Sequence, residues 1–371
     1  MSRAATGRTA RTRTAMTRTA MTRAVLAFPG DLEAPTGGYA YDRHMLEELP
    51  AQGVAIAPLP LGAGFPFPKP AQARAALSAL AATAPGTVLL VDGLALGALP
   101  ADGLRALGRP IVALIHHPLA EETRLDASQR AQLRASERAA LATCRAVIAT
   151  GAVSRRLLVA NYGVPEEAII LASPGIDPAP RAAADGDPPR LLAIGSVIPR
   201  KAYDVLLEAV AGLGDLAFGL DIIGSLTLDP PTAAAITAQV AAFPDGRVRL
   251  LGARSRAELD TVFAQADVFV HPSLFEGYGM VLAEAMARGL PIVTSTGGAA
   301  NDTVPDGAGL KVPPGDVTVL QASLRAVIAD KALRRRLADA SFAAGARLPS
   351  WADGARALAA TLHRVAQENG A

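Results

Sequence analysis

The chain has 371 residues, one cysteine and a formal net charge of +2. That length suggests two domains of roughly 100–200 residues each, and 50% hydrophobic against 19% charged residues excludes an intrinsically disordered chain. The lone Cys144 excludes an internal disulfide and a cysteine-rich zinc site. No run of about 18 uncharged apolar residues is present to span a bilayer as a helix.

The first 23 residues form a basic tail with six arginines and no acid, which leaves 30 basic against 34 acidic residues in the remainder. The high isoelectric point therefore belongs to the tail. Such a segment can bind nucleic acid or anionic lipid, or act as a targeting sequence. Its Arg-Thr-Ala repetition, with Met16 and Met21 just ahead of the first strand pattern, reads more simply as a disordered mis-assigned start, with Met21 the true first residue. It lacks the apolar core of roughly 7–15 residues that a secretion signal needs, so the expected location is the cytoplasm.

Short apolar runs then alternate with helical patterns. Strands are expected at Ala24–Phe28, Val54–Pro58, Thr87–Val91, Ile111–Ile115 and Ala146–Ala149. A second series follows at Arg190–Ile194, Gly219–Ile223, Val248–Leu251, Val268–His271 and Pro291–Thr294. Between them lie helical stretches such as Ala71–Ala84, Gln129–Ala142, Asp204–Leu213, Arg256–Gln265 and Gly279–Arg288. Continuous apolar strands separated by helices predict parallel sheets covered on both faces. Pro174–Pro189 is rich in Pro, Gly and Asp and reads as a linker. It divides a first domain, 24–173, from a second, 190–348. The tail end, 349–371, holds a helix with Trp351, Ala355, Leu358, Leu362 and Val365 near one face, suited to packing back on the first domain.

In open parallel sheets, ligands bind at the carboxyl ends of the strands. Four such places carry candidate chemistry. After Val268–His271 comes Glu276-Gly277-Tyr278-Gly279-Met280 and, within the next helix, Glu284. A helix start beside two glycines suits a phosphate, and two acceptor-only carboxylates suit a hydroxyl-rich ligand. Singly, Glu276 reads rather as a helix cap and Glu284 as a solvated helix residue; together they point to a site. After Arg190–Ile194 comes Gly195-Ser196 and then the basic pair Arg200-Lys201, able to neutralise a diphosphate but lacking the P-loop ending. After the first strand, Gly37-Gly38 precedes a helix without the Gly-x-Gly-x-x-Gly of a nicotinamide enzyme. After the fourth, His116-His117 follows a buried strand; adjacent residues on extended chain diverge, so the pair is a poor chelate. Cys144 reads as core within a helical stretch.

With these residues in place, the chain resembles a retaining glycosyltransferase of the GT-B fold, family 4 (glycosyl transferases group 1). The resemblance covers nearly all of 24–368 and is densest over 190–315. It rests on the Glu276/Glu284 pair, the Arg200-Lys201 loop, Gly37-Gly38, His116 with His117 as the competing choice, Gly297-Gly298, and the Gly309–Asp316 segment. It implies two Rossmann-like doubly wound parallel-sheet domains facing a cleft. It implies a nucleoside-diphosphate sugar as co-substrate, with no cofactor and no metal. Glu284 would hold the ribose. Arg200, Lys201 and the Gly279–Met280 backbone would hold the diphosphate. Glu276 and His116 would contact the sugar, with Gly37, Gly38, Gly195, Ser196, Gly277 and Tyr278 lining the donor site. The acceptor would be a glycan, a lipid-linked sugar or a small molecule, with nucleic acid not a partner and peripheral contact at the inner membrane face left open. The Phe65/Phe67 loop would either touch such an acceptor or pack locally. The chain departs from the family at Ser196, where many members carry Arg, at Ala202, where many carry Gly, and at Asn301-Asp302, which replaces a Pro-Glu pair. A sugar-nucleotide-binding protein without turnover, a phosphorylase and an epimerase are the alternative readings.

Overall fold

A computed structural model describes residues 21–122 and 125–370. The basic tail therefore lies almost wholly outside the described residues. Among the described residues, twelve strands form two six-stranded sheets in which every pairing is parallel. The first sheet holds β1 (Thr22–Phe28), β2 (Val54–Pro60), β3 (Val88–Asp92), β4 (Ile111–Ile115), β5 (Ala146–Ala149) and β6 (Ile169–Leu171), in the order β2-β1-β3-β4-β5-β6. The second holds β7 (Arg190–Ile194), β8 (Gly219–Ile223), β9 (Val248–Leu250), β10 (Val268–His271), β11 (Ile292–Ser295) and β12 (Gly309–Val312), in the order β12-β11-β10-β7-β8-β9.

Helices α1 (Gly37–Glu48), α2 (Pro70–Ala81), α3 (Gly93–Leu96), α4 (Ala101–Ala106), α5 (Ala127–Leu141) and α6 (Ala152–Tyr162) cover the first sheet. Helices α7 (Tyr203–Ala211), α8 (Pro230–Val240), α9 (Arg256–Ala264), α10 (Met280–Ala287), α11 (Ala300–Thr303), α12 (Val317–Ala329) and α13 (Lys331–Gly345) belong to the second, and α14 (Trp351–Gly370) ends the chain. Two short strands, β6 and β12, escape the sequence reading. Each offers only three or four residues, too few to show a period. Cys144 sits in the turn after α5 rather than inside it.

Local chemistry explains where the helices start. Thr36, Asp126, Ser255, Asp316 and Asp330 each accept the backbone N–H three residues on, closing α1, α5, α9, α12 and α13. The central strands are buried along their whole length, because helices lie on both faces.

The 174–189 segment lies against the second sheet's domain. Ala182 and Ala184 are buried in that core, and Asp267 accepts the N–H groups of Gly186 and Arg190 at 2.6 and 2.7 Å. Helix α14 returns to the first domain. Trp351, Ala355, Leu358, Leu362 and Val365 share one core cluster with Leu26, Tyr41 and Leu114. Burying a large apolar side chain contributes about 1.5–3 kcal/mol, so this stripe holds the return firmly. His363 pins the far end, accepting from the Thr22 hydroxyl at 2.7 Å and donating to the Gln52 carbonyl at 3.0 Å. The chain thus crosses between domains twice, and the crossings touch: Ile176 N–H donates to the Pro349 carbonyl at 3.0 Å.

Behind the first sheet's cleft edge, Glu137 of α5 is fully buried and accepts the Leu119 N–H at 2.9 Å. Burial pushes its carboxyl up to about 8, against the opposing pull of that N–H. A folded value above the unfolded one means stability is complete below about pH 4.5 and declines as pH rises toward 8. Urea unfolding of the Glu137→Gln variant is therefore expected to show a flatter stability between these pH values than the parent chain. Parallel curves for the two proteins would mean that the buried carboxyl is ionised.

Candidate functional site

Both sheets place their loops at the positions where strand order reverses, and open parallel sheets bind ligands there. In the first sheet the reversal lies between β1 and β3; in the second, between β7 and β10. The glycine loop after β1, the basic loop after β7 and the acidic loop after β10 all emerge at these points.

The second-lobe side centres on Glu276. The residue is buried, and its Oε1 collects Lys201 Nζ at 2.6 Å, His271 Nε2 at 3.0 Å and Arg200 Nη1 at 3.4 Å. A carboxylate only accepts, so His271 Nε2 carries a proton. Burial alone would push the Glu276 carboxyl up, but Lys201, His271 and Arg200 outweigh it and hold it well below the usual range. Burial holds His271 toward the neutral form and lowers Lys201, which Glu276 partly restores. Oε2 of Glu276 has no hydrogen bond among the described residues. The Arg200 guanidinium also donates to the Phe275 carbonyl at 2.8 Å and lies 3.4 Å from Glu122 of the first lobe.

The two helices that follow the basic and acidic loops begin without a side-chain cap. Ala202 caps the start of α7 and Gly279 that of α10, both in the left-handed backbone region at φ of 50° and 85°. For Ala202 that conformation costs about 1–2 kcal/mol, which a glycine would avoid. Uncapped N–H groups and the positive end of a helix favour an anion. Gly195 lies under the Lys201 stem, and Ser196 is partly exposed in the same loop.

Glu284, on α10, is not a solvated residue. Its Oε1 pairs with Arg256 Nη1 at 2.6 Å, and Arg256 also reaches Asp177 at 3.3 Å. Tyr278 is partly buried, with its hydroxyl 3.4 Å from the Pro174 carbonyl. Asp302 pairs with Arg156 across the lobes.

The first-lobe side centres on His116. Its Nε2 lies 3.0 Å from Asp42 Oδ1 and 3.5 Å from Asp92 Oδ2. Asp42 comes from α1 and Asp92 from the end of β3. Nδ1 has no hydrogen bond among the described residues. Gly38 packs on the His116 ring, Gly37 faces Met280 across the cleft, and Tyr41 meets the ring edge-on at 5.3 Å. His117 diverges from His116, as expected of adjacent residues, and stands 3.5 Å from Glu122 and beside Phe275.

The lobes meet through backbone. A Cβ on Gly277 would fall 2.6 Å from the His116 carbonyl oxygen, and one on Gly151 would fall 2.6 Å from the Gly277 carbonyl oxygen. Gly277 therefore serves the approach of the first lobe itself, a demand beyond the ligand approach that sequence suggested. The Phe65/Phe67 loop splits: Phe65 packs on the first-lobe core, while Phe67 is exposed and lines a cavity of about 450 Å³ that none of the cleft residues borders.

Sequence reasoning missed Asp42, Asp92, His271, Arg256 and Glu122. Asp92 and His271 are the last residues of β3 and β10, so inspecting strand ends could have found both. Asp42 had no such signal, since it lies mid-helix beside the buried Tyr41 and Met45. Asp42, Asp92 and His116 are also the one group among the described residues whose spacing could admit a cation, within 4.8 Å of one another. The sequence expectation of no metal had not seen that grouping.

Residues 34–180 match the family model Glycosyltransferase Family 4, and residues 179–343 match Glycosyl transferases group 1. A D-inositol 3-phosphate glycosyltransferase of Geodermatophilus obscurus is 32% identical over 72% of this chain and 64% of its own length. An MMP alpha-(1->4)-mannosyltransferase of Mycolicibacterium hassiacum is 28% identical over 66% and 63%. The matched region thus spans a little under two thirds of these relatives. Among solved structures, the sucrose-phosphate synthase of Thermosynechococcus elongatus superposes with a TM-score of 0.76 at 20% identity, covering 94% of this chain and 99% of that one. Anabaena HepE, solved with UDP and glucose, superposes at 0.72 with 18% identity, covering 91% and 99%. With both lobes matched in sequence and the whole described architecture matched in structure, the chain belongs to the family 4 glycosyltransferases of the GT-B fold.

Proposed function

We propose that the protein moves a sugar from a nucleoside-diphosphate sugar to a hydroxyl of a glycan, lipid-linked or small-molecule acceptor, with retention at the anomeric carbon. One observation carries this reading. Arg200, Lys201 and the uncapped start of α10 converge beside Glu276, directly across the cleft from His116. The relatives named for transfer to an inositol phosphate or of mannose, and neighbours bound to UDP and UDP-glucose, support the same substrate class.

In this reading the diphosphate lies over α10 and the basic loop. Breaking the C1–O bond leaves the electron pair on the diphosphate and positive charge on the sugar ring. Arg200, Lys201 and the helix N–H groups would meet that leaving charge, and preorganised donors of this kind lower such barriers. The acceptor hydroxyl attacks C1 on the face the phosphate leaves, and its proton passes to the departing phosphate oxygen. Glu276 offers Oε2 to the sugar hydroxyls, His116 contacts the sugar from the first lobe, and Glu284 holds the ribose alongside Arg256. The leaving charge is met by protein cations, so the reaction needs no metal. Contact between the lobes excludes water that would otherwise hydrolyse the donor.

Calorimetric titration with UDP, GDP and ADP is expected to reveal binding of one nucleotide. Lys201→Ala and Glu284→Ala should each weaken it at least about tenfold, near 1.4 kcal/mol. A folded protein that binds none of the three would sink the reading. Transfer from the matching sugar nucleotide should also persist in excess EDTA, and a loss restored by Mg²⁺ would overturn the metal-free step.

A further inference from the structure

We propose that Arg256 is a positioning residue for the donor's ribose: its guanidinium holds Oε1 of Glu284, leaves Oε2 to accept from a ribose hydroxyl, and braces that carboxylate against Asp177 beside the crossing between the lobes. The inference deepens the proposed function and rests on it in taking Glu284 to meet the ribose. Arg256 itself touches no part of the donor in this scheme; it acts through Glu284.

The placement of Arg256 does not serve its own helix. It is the first residue of α9, where the helix dipole is positive and a cation gains nothing. Helix α9 is already closed there by Ser255 and Glu258, each accepting from the other's backbone N–H. Asp260, one turn on, stands 3.9 Å from Arg256 Nε and is held more closely by the buried Arg288. The short contacts of Arg256 reach out of the helix instead. Nη1 donates to Glu284 Oε1 at 2.6 Å, and Nη2 to Asp177 Oδ2 at 3.3 Å. A planar guanidinium with fixed N–H directions can hold two carboxylates from two segments at once, which a lysine point charge cannot do with the same geometry.

Both ends of this brace are anchored. Glu284 lies inside α10, and its backbone carbonyl accepts from Arg288 Nη1 at 3.2 Å. Asp177 follows Ile176, whose N–H is bonded to the Pro349 carbonyl at 3.0 Å where the two crossings touch. The Glu284 side chain is 14% exposed against 49% for Arg256, so the carboxylate is the more enclosed partner. Its Oε2 has no hydrogen bond among the described residues. A glutamate without such a brace would lose its rotamer freedom only when the ribose arrived, at a cost to affinity. Arg256 takes that loss before binding. It also offsets three carboxylates, Glu284, Asp177 and Asp260, close to where an anionic donor would lie. That second effect is general to any anion, whereas the first depends on the ribose hydroxyl, and the two are separable by experiment.

The test is calorimetric titration of the full chain with whichever of UDP, GDP and ADP it binds, and with the 2′-deoxy and 3′-deoxy forms of that nucleotide. In the parent, losing the hydroxyl that Glu284 reads should weaken binding at least about tenfold, as for a hydrogen bond to a charged group. In Arg256→Gln that ratio should fall to about twofold or less, because the nucleotide with its full ribose loses far more affinity than the deoxy form. Arg256 is half exposed, so the substitution leaves the core untouched. Added to Glu284→Gln, the same substitution should change the ratio no further, as expected for two residues acting as one unit. A parent with no preference for either hydroxyl overturns the proposal. So does an Arg256→Gln protein that keeps the parent's ratio, including one that weakens all three nucleotides equally, which is the signature of a remote charge or a structural role. A further fall in the ratio on adding Arg256→Gln to Glu284→Gln shows that Arg256 does not act through Glu284 and overturns it as well. In these three outcomes a nucleotide still binds, so the transferase reading stands. A parent that binds none of UDP, GDP and ADP fails that reading, and the proposal falls with it.

Discussion

A buried carboxylate cannot stand unpaired in a protein interior, and Glu276 is the residue on which that constraint falls here. Its Oε1 gathers Lys201, Arg200 and His271 from the ends of two neighbouring strands. Removing one partner of such a buried pair typically costs about 3–5 kcal/mol. The cations that a diphosphate would need are therefore held in place before any ligand arrives. The same pairing leaves Oε2 without a hydrogen bond among the described residues, while Oε1 alone organises the basic loop. Arg200 extends the arrangement to Glu122 in the first lobe.

The rest of the architecture delivers other elements to this corner. Reversal of strand order in each sheet opens a crevice at the carboxyl ends, and the crevices face one another. Gly277 and Gly151 let backbone meet backbone where they close. Behind the cleft, α14 crosses back and packs Trp351 against Tyr41 edge-on at 6.0 Å and against His44 face to face at 3.8 Å. Tyr41 in turn meets the His116 ring. The crossing point between lobes and the first-lobe histidine thus share one helix, α1, which also carries Gly37, Gly38 and Asp42.

Ion pairs at the periphery do much less. Arg156–Asp302 bridges the lobes, yet both side chains are substantially exposed and solvent screens them. The departure from the family at Asn301-Asp302 therefore changes a solvent-facing contact. The departure at Ala202 is of another kind: the backbone keeps the left-handed turn even though the residue there carries a side chain. The turn directly follows Arg200 and Lys201 and leads into α7.

The sequence by itself determined the alternation of strand and helix, the parallel sheets, and the loops at which chemistry would lie. These follow from local patterns: apolar runs too short for helices, glycine at turns, and acids or bases just past a strand end. Glu276, Lys201, Arg200 and His116 were legible for that reason. Only the tertiary structure decided what each of them touches. Asp42 reaches His116 from a helix far away in the chain, Arg256 reaches Glu284 from α9, and the His116 carbonyl meets Gly277 from the other lobe. Periodicity reports which face of an element is buried, but not which side chain meets it there. Proton positions and charge states depend on those meetings, so they belong to the fold.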